Sequence, residues 1–270
     1  MTKGGSMLVK DKVAIVTGGS RGIGKAIAMT LVREGARVSI WAPPPELLER
    51  VAKEMGTHGG EVLPVETDVS DSAWVNRSTQ QVLDTWGEID ILVNNAGILP
   101  QTTSVADPSK VNPFLDLTDE RWAEEIAIDL SGVFYCMRAV IKPMIEQRSG
   151  KIINIGSVAG VTGGYFSSPS YVASKAGLMG MSMLAARWLG KYGINVNVVN
   201  PGPVLTEGTA FGPAQIEALS RMIPFRRGGV ETEILCKPED IANAVLYFAS
   251  DLSAFVTGTR INVLGGQHMG

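Results

Sequence analysis

The sequence has little of what metal sites and disulfide frameworks are made from: two cysteines and two histidines in 270 residues. Cys136 and Cys236 show neither metal spacing nor disulfide patterning. His58 and His268 are far apart in the chain, so a Cys/His zinc site is not expected. The net charge of −3 supplies no basic field for nucleic acid. No apolar run reaches the length of a membrane span. A short-period repeat, a low-complexity linker and a second domain are equally missing. Met1–Met7 lacks the apolar core of a signal peptide. Residues 1–11 therefore read as a flexible polar leader, and a cytoplasmic location is expected. What is present is 45% apolar and 19% charged residues with 31 glycines, an ordinary globular composition, and length enough for a full core.

Short β-branched runs alternate with helical spacing. Lys12–Thr17, Arg37–Ala42, Val62–Val65, Ile89–Val93, Lys151–Ile155, Asn195–Val199 and Arg260–Val263 read as strands. Helices are expected at Lys25–Glu34, Glu46–Met55, Ala73–Trp86, Glu120–Met137, Ala173–Leu189 and Glu239–Ser250. The alternation predicts a single α/β domain over residues 12–270, a doubly wound, Rossmann-like parallel sheet with helices on both faces. Gly18-Gly19-Ser20-Arg21-Gly22-Ile23-Gly24 falls between the first strand and the first helix. There, glycines let the backbone approach a pyrophosphate at a helix N-terminus.

Tyr171 and Lys175 stand four residues apart, one turn on one helical face. A phenol loses its proton near pH ~10, and an ammonium held beside it favours the phenolate. The pair is thus an acid/base device for near-neutral pH. Ser157, just past a strand end, offers a hydroxyl to stabilise a developing alkoxide. Nothing in this scheme requires a metal. Taken singly, a Tyr/Lys pair is more often a surface contact and a strand-end Ser more often a turn cap.

In order along the chain, Thr17-Gly18-x-x-x-Gly22-x-Gly24, Asn94-Asn95-Ala96-Gly97, Ser157, Tyr171-x-x-x-Lys175 and Pro201-Gly202 resemble the short-chain dehydrogenase/reductase family, in its compact single-domain branch. The likeness runs from about Lys12 to Gly266. It implies that Gly18, Gly22 and Gly24, with Ser20, Arg21 and Ile23, cradle the cofactor pyrophosphate. Asp68 and Val69 would flank the adenine, and Asn94, Ala96 and Gly97 would lie along the cofactor. Pro201, Gly202, Val204 and Thr206 would border the nicotinamide. Ser157 would polarise the substrate oxygen, Tyr171 would exchange its proton with that oxygen, and Lys175 would tune Tyr171 and hold the nicotinamide ribose.

The pattern is departed from in places. Where the family often has a relay Asn, this chain has Asp129, which accepts hydrogen bonds but donates none when ionised; either it pairs with Lys175, or the backbone carbonyl there does the relay work and Asp129 serves only as a helix side chain, the reading preferred here. Leu264 precedes the paired Gly265-Gly266 where the family usually has Asp. The cofactor signal is split. Arg21 suits a 2′-phosphate, and no carboxylate follows Trp41-Ala42 before Glu46, so NADP(H) is favoured and NAD(H) left open. Leu99–Leu117 and Gly228–Lys237 look longer than usual, either as pocket frames or as surface insertions.

The pocket is expected beyond the C-terminal strand ends, lined by Val158, Gly163, Tyr165, Phe166, Leu205, Phe211, Met222, Ile223 and Phe225. Arg226-Arg227 is its one weak anion anchor. A small to medium, mostly apolar ketone or secondary alcohol follows as substrate, with Thr206–Met222 closing over it. The alternative is a cofactor-binding sensor or scaffold without catalysis, since fold alone does not prove chemistry. Surplus apolar residues on the helix after Tyr171 (Leu178, Met179, Met181, Met183, Leu184, Trp188) suggest a homotetramer or homodimer, as the family implies.

Overall fold

The computed structural model describes residues 7–98, 112–164, 167–209, 211–231 and 233–269. Seven parallel strands form one sheet in the order β3-β2-β1-β4-β5-β6-β7: β1 Val13–Thr17, β2 Arg37–Trp41, β3 Val62–Val65, β4 Ile91–Asn94, β5 Gly150–Ile155, β6 Ile194–Pro201 and β7 Arg260–Val263. Every residue of β1 is buried, because both faces of a parallel sheet are covered by helices. Successive residues serve opposite cores. Ala14 and Val16 pack with Ile27 and Leu31 of α1 (Gly22–Arg33), Leu48 of α2 (Pro45–Gly56) and Phe248 of α9 (Pro238–Ala249). Val13 and Ile15 pack with Val75 and Val82 of α3 (Ser72–Trp86), Val140 of α5 (Val133–Gln147) and Leu178 of α7 (Pro169–Leu189).

The strand order reverses between β1 and β4, which pair directly. At such a reversal the loops diverge and leave a crevice for a ligand. The loop after β1 and the loop after β4 are also locked together at close range. Asn95 donates from its side chain to the carbonyls of Thr17 (3.0 Å) and Gly18 (3.2 Å). Thr17 Oγ1 accepts from the backbone N–H of both Asn95 and Ala96. Gly18 has φ +64°, and a Cβ there would fall 2.9 Å from the Asn95 amide and 3.0 Å from Ala96 Cα, so only glycine allows this junction.

Several expected boundaries move. The helix expected over Glu120–Met137 is α4 (Asp119–Ile126), a π-helical segment (Ala127–Gly132) and α5, which runs on to Gln147. The apolar stripe continues through Val140 and Met144, and Pro143 is tolerated within it. The helix expected from Ala173 begins at Pro169. Ser168 caps it by accepting the Tyr171 N–H, and Pro169 occupies the first turn, where no amide is needed. The leader expected over residues 1–11 is not loose throughout: Val9 is buried, and its N–H bonds to Glu34 O. The stretch Gly228–Lys237 is no loose insertion either. Ile234 packs beneath α8 (Pro213–Met222) against Leu219 and Ile223, and Cys236 bonds through its backbone to Pro203 and Leu205. Of Leu99–Leu117, residues 99–111 lie outside the described residues.

Candidate active site

A cavity of about 730 Å³ opens past the C-terminal ends of β4, β5 and β6. Ser157, Tyr171, Lys175 and Asp129 all line it. Three elements supply them: the turn after β5, two successive turns of α7, and the π-helical segment. A π-helical insertion spends an extra residue on one turn, and such insertions recur where a side chain must be re-aimed. Here it carries Asp129 inward to full burial.

Lys175 is 5% exposed yet carries a charge. Its Nζ lies 3.1 Å from Asp129 Oδ1, donates to Ile155 O at 3.3 Å, and sits 5.5 Å from the centre of the Tyr171 ring. The contact with Asp129 is an ion pair at poor hydrogen-bond angle, since Oδ1 otherwise has no hydrogen-bond partner. Burial pushes the Lys175 ammonium down. The charges of Asp129 and Tyr171, and the Asp129 contact, outweigh it, and the net direction is up from 10.5. Asp129 Oδ2 accepts weakly from Ile98 N–H at 3.4 Å. A Cβ on Gly97 would meet Asp129 Oδ1 at 2.6 Å, so the glycine gives the carboxylate its room. Ser157 is 9% exposed, and its Oγ accepts from Ala159 N–H at 3.1 Å, which begins the short helix α6 (Ala159–Thr162).

Other expected residues fall into two groups. Ile23, Gly97, Pro201, Gly202, Val204 and Thr206 line the same cavity. Gly18, Ser20, Arg21, Gly22 and Gly24 form the turn from β1 into α1 beside it. A Cβ on Gly24 would stand 2.1 Å from Gly18 O, and one on Gly22 would stand 3.6 Å from Thr206. The glycine turn and the Pro201–Thr206 stretch are thus opposite walls of one crevice. Asp68 Oδ1 accepts from the Ser70 N–H and hydroxyl, and Val69 is buried against Gly132. Asn94 donates its amide to Asn154 across the sheet at 2.8 Å, so its side chain serves the sheet, while Ala96 is tied to Thr17.

The pocket wall differs from expectation in detail. Val158, Phe211 and Met222 line the cavity. Ile223 is instead buried beneath α8, and Leu205 and Phe225 are exposed. Gly163 closes α6 in a left-handed conformation, and Tyr165 and Phe166 lie outside the described residues. Arg226 and Arg227 are not free anion anchors. Arg226 pairs with Glu231 and donates to the Ser220 carbonyl, and Arg227 pairs with Asp240. Leu264, in place of Asp, is buried under Gly202. Sequence reasoning missed the polar lining residues Asn95, Gln215 and Gln267 and the apolar Leu219. Gln215, Leu219 and Met222 follow helical spacing, the one signal that could have placed them together.

The crevice suits a dinucleotide. Gly18, Gly22 and Gly24 let the backbone come close along one side, the reversal of strand order opens it, and the buried Lys175–Asp129 ion pair lines it. Residues 12–215 match the family model for short chain dehydrogenase. The chain is 38% identical to the 3-oxoacyl-[acyl-carrier-protein] reductase of Escherichia coli over 97% of its own length and 100% of the relative's. The reductase of the same name from Staphylococcus epidermidis is 36% identical over 96% and 100%. Among solved structures, a 3-oxoacyl-[acyl-carrier protein] reductase with bound NAD from Brucella melitensis superposes with TM-score 0.85 and 30% identity, over 98% of this chain and 94% of that one.

Proposed function

The chain belongs to the short-chain dehydrogenase family, and on that premise we propose that it transfers hydride between NADP(H) and a small to medium, mostly apolar ketone or secondary alcohol. The observation that carries the reading is the convergence of Ser157, Tyr171 and Lys175 on one cavity also lined by the apolar Phe211, Leu219 and Met222. When bound, the nicotinamide gives or takes the hydride. The glycine turn with Ser20, Arg21 and Ile23 would hold the pyrophosphate at the α1 N-terminus. Asp68 and Val69 would border the adenine, and Asn94, Ala96 and Gly97 the path between. Pro201, Gly202, Val204 and Thr206 would wall the nicotinamide, with Tyr171 and Lys175 on its ribose. Arg21 is exposed and without an ion pair among the described residues, which leaves its guanidinium for a 2′-phosphate.

In reduction, the Ser157 hydroxyl donates to the substrate oxygen and Tyr171 delivers its proton there; in oxidation Tyr171 removes it. Lys175 stabilises the resulting phenolate charge across the 5.5 Å to the ring. Asp129 holds that ammonium in place and shares its field. We read Asp129 as a partner of Lys175 and not as a donor in a relay. Tyr171→Phe tests the reading. Turnover should fall by about 10²-fold or more while cofactor binding persists, and full activity would sink it; it also separates catalysis from a binding-only scaffold. Fluorescence titration with NADPH and with NADH tests the selector: Arg21→Ala should erode a preference for NADPH, and an unaltered preference would remove Arg21 from the site.

A second reading has support in the relatives: a 3-oxoacyl thioester substrate. Parallel assays with a simple cyclic ketone and a 3-oxoacyl thioester discriminate. The engagement of Arg226 and Arg227 by Glu231 and Asp240 favours the uncharged ketone. We also place the enzyme in the cytoplasm as a homotetramer, the latter supported by apolar side chains left exposed on α7.

A further inference from the structure

We propose that Glu125 is a positioning residue for Tyr171, acting through the first turn of α7. In α4, Glu125 is buried to 1% exposure while Asp119, Glu120 and Glu124 face solvent. Carboxylates are almost never buried without partners, and an apolar residue would fill this place at lower cost. Its two oxygens are used differently. Oε1 takes the Arg121 Nε–H at 2.8 Å. Oε2 takes the hydroxyls of both Ser168 and Ser170, the latter at 2.5 Å. Those serines bracket Pro169 and immediately precede Tyr171.

Ser168 is the link. Its hydroxyl proton goes to Glu125, which fixes the direction of its oxygen lone pairs, and that oxygen accepts the Tyr171 backbone N–H at 3.2 Å. Ser170, fully buried, is held from the other side. The turn that presents the phenol is therefore anchored to α4 at two points, and Glu125 is not among the described residues that line the cavity. Displacing a reacting group by about 1 Å costs on the order of 10²-fold in rate, so this anchoring acts on turnover more than on binding.

The inference rests on the function proposed above, and the experiment separates the two. Glu125→Leu, Glu125→Gln, Ser168→Ala and Ser168→Thr are compared with wild type for kcat, cofactor dissociation constant, and amide hydrogen exchange at Tyr171. Glu125→Leu and Ser168→Ala should lower kcat about tenfold or more, leave cofactor affinity within about twofold, and speed exchange at Tyr171. Glu125→Gln and Ser168→Thr, which keep an oxygen acceptor and a hydroxyl, should recover most of the loss. Ser168→Ala leaves the carboxylate held by Ser170 and Arg121, so it reads the link even if Glu125→Leu folds poorly. Unchanged exchange at Tyr171 in Ser168→Ala, or a parallel fall of kcat and cofactor affinity that Ser168→Thr does not rescue, overturns the assignment. A wild type that turned over no carbonyl would end the function reading alone, with the clamp still decided by exchange.

Discussion

At the scale of single residues, the Lys175–Asp129 pair sets the terms of pH dependence. Burial lowers the ammonium's proton affinity, and Asp129 and Tyr171 more than restore it. A folded pKa raised above the unfolded value contributes stability that is fully present below about 10.5. That contribution is lost as pH rises through the higher folded value. Asp129→Asn removes the restoring charge and leaves the desolvation, so the folded Lys175 pKa drops below its unfolded value and the sign reverses: the Lys175-linked alkaline loss should disappear, and stability should instead rise as pH approaches about 10.5. Denaturant unfolding at a series of pH values between neutral and strongly alkaline measures it. Asp129→Leu leaves a buried, unpaired ammonium and should cost about 3–5 kcal/mol at neutral pH. The two thiols are raised by burial itself, Cys136 to about 12 and Cys236 to about 11. Both stay protonated at pH 8, and alkylating reagents should label neither in the folded protein; labelling at a rate typical of a free thiol would contradict the burial. The residues of this site were legible early because Ser157, Tyr171 and Lys175 are chemically distinctive at fixed spacing. Glu125 was not, since a glutamate in a helix rich in acids gives no sign of which one turns inward.

At the scale of elements, what was legible was the alternation, because β-branched runs and helical stripes differ in period. What was not legible was how the helices begin and end. The π-helical turn at Ala127–Gly132 keeps the residue types of an α-helix, so nothing in the sequence marks the extra residue that swings Asp129 into the cavity. The start of α7 was missed by up to four residues because Pro169 looks like a breaker, whereas in a first turn it is an asset. The segment Thr206–Met222 begins in a turn closed by Thr209 Oγ1 on Val204 O and continues into α8, whose Gln215, Leu219 and Met222 face the cavity. We expect it to close over bound ligands. Adding cofactor and substrate analogue should slow amide exchange across Thr206–Met222, and unchanged exchange would leave it a fixed wall.

At the scale of the whole molecule, the alternation of strands and helices implied a doubly wound parallel sheet, whereas the order of its strands and the reversal at β1 and β4 come from the structure. The surface was harder to foresee. Of the surplus apolar residues on α7, Leu178 and Met179 prove to be core, while Met183, Leu184 and Trp188 are more than half exposed. Helical period alone separates these sets only when the packed face is known. We read these exposed apolar side chains as the contact surface of the proposed assembly. Replacing Leu184 and Trp188 by Glu should convert an assembled species to a smaller one in sedimentation; a wild type that sediments as a monomer would refute the assembly outright.

α7 holds both ends of this account. Its first turns present Tyr171 and Lys175, and its last turns end in the bare surface at Met183, Leu184 and Trp188. In the assembly proposed above, one helix with the proposed chemistry at its start and the contact surface at its end would make the catalyst sensitive to its own abundance. Specific activity should decline on dilution, return on concentration, and do so without any effector.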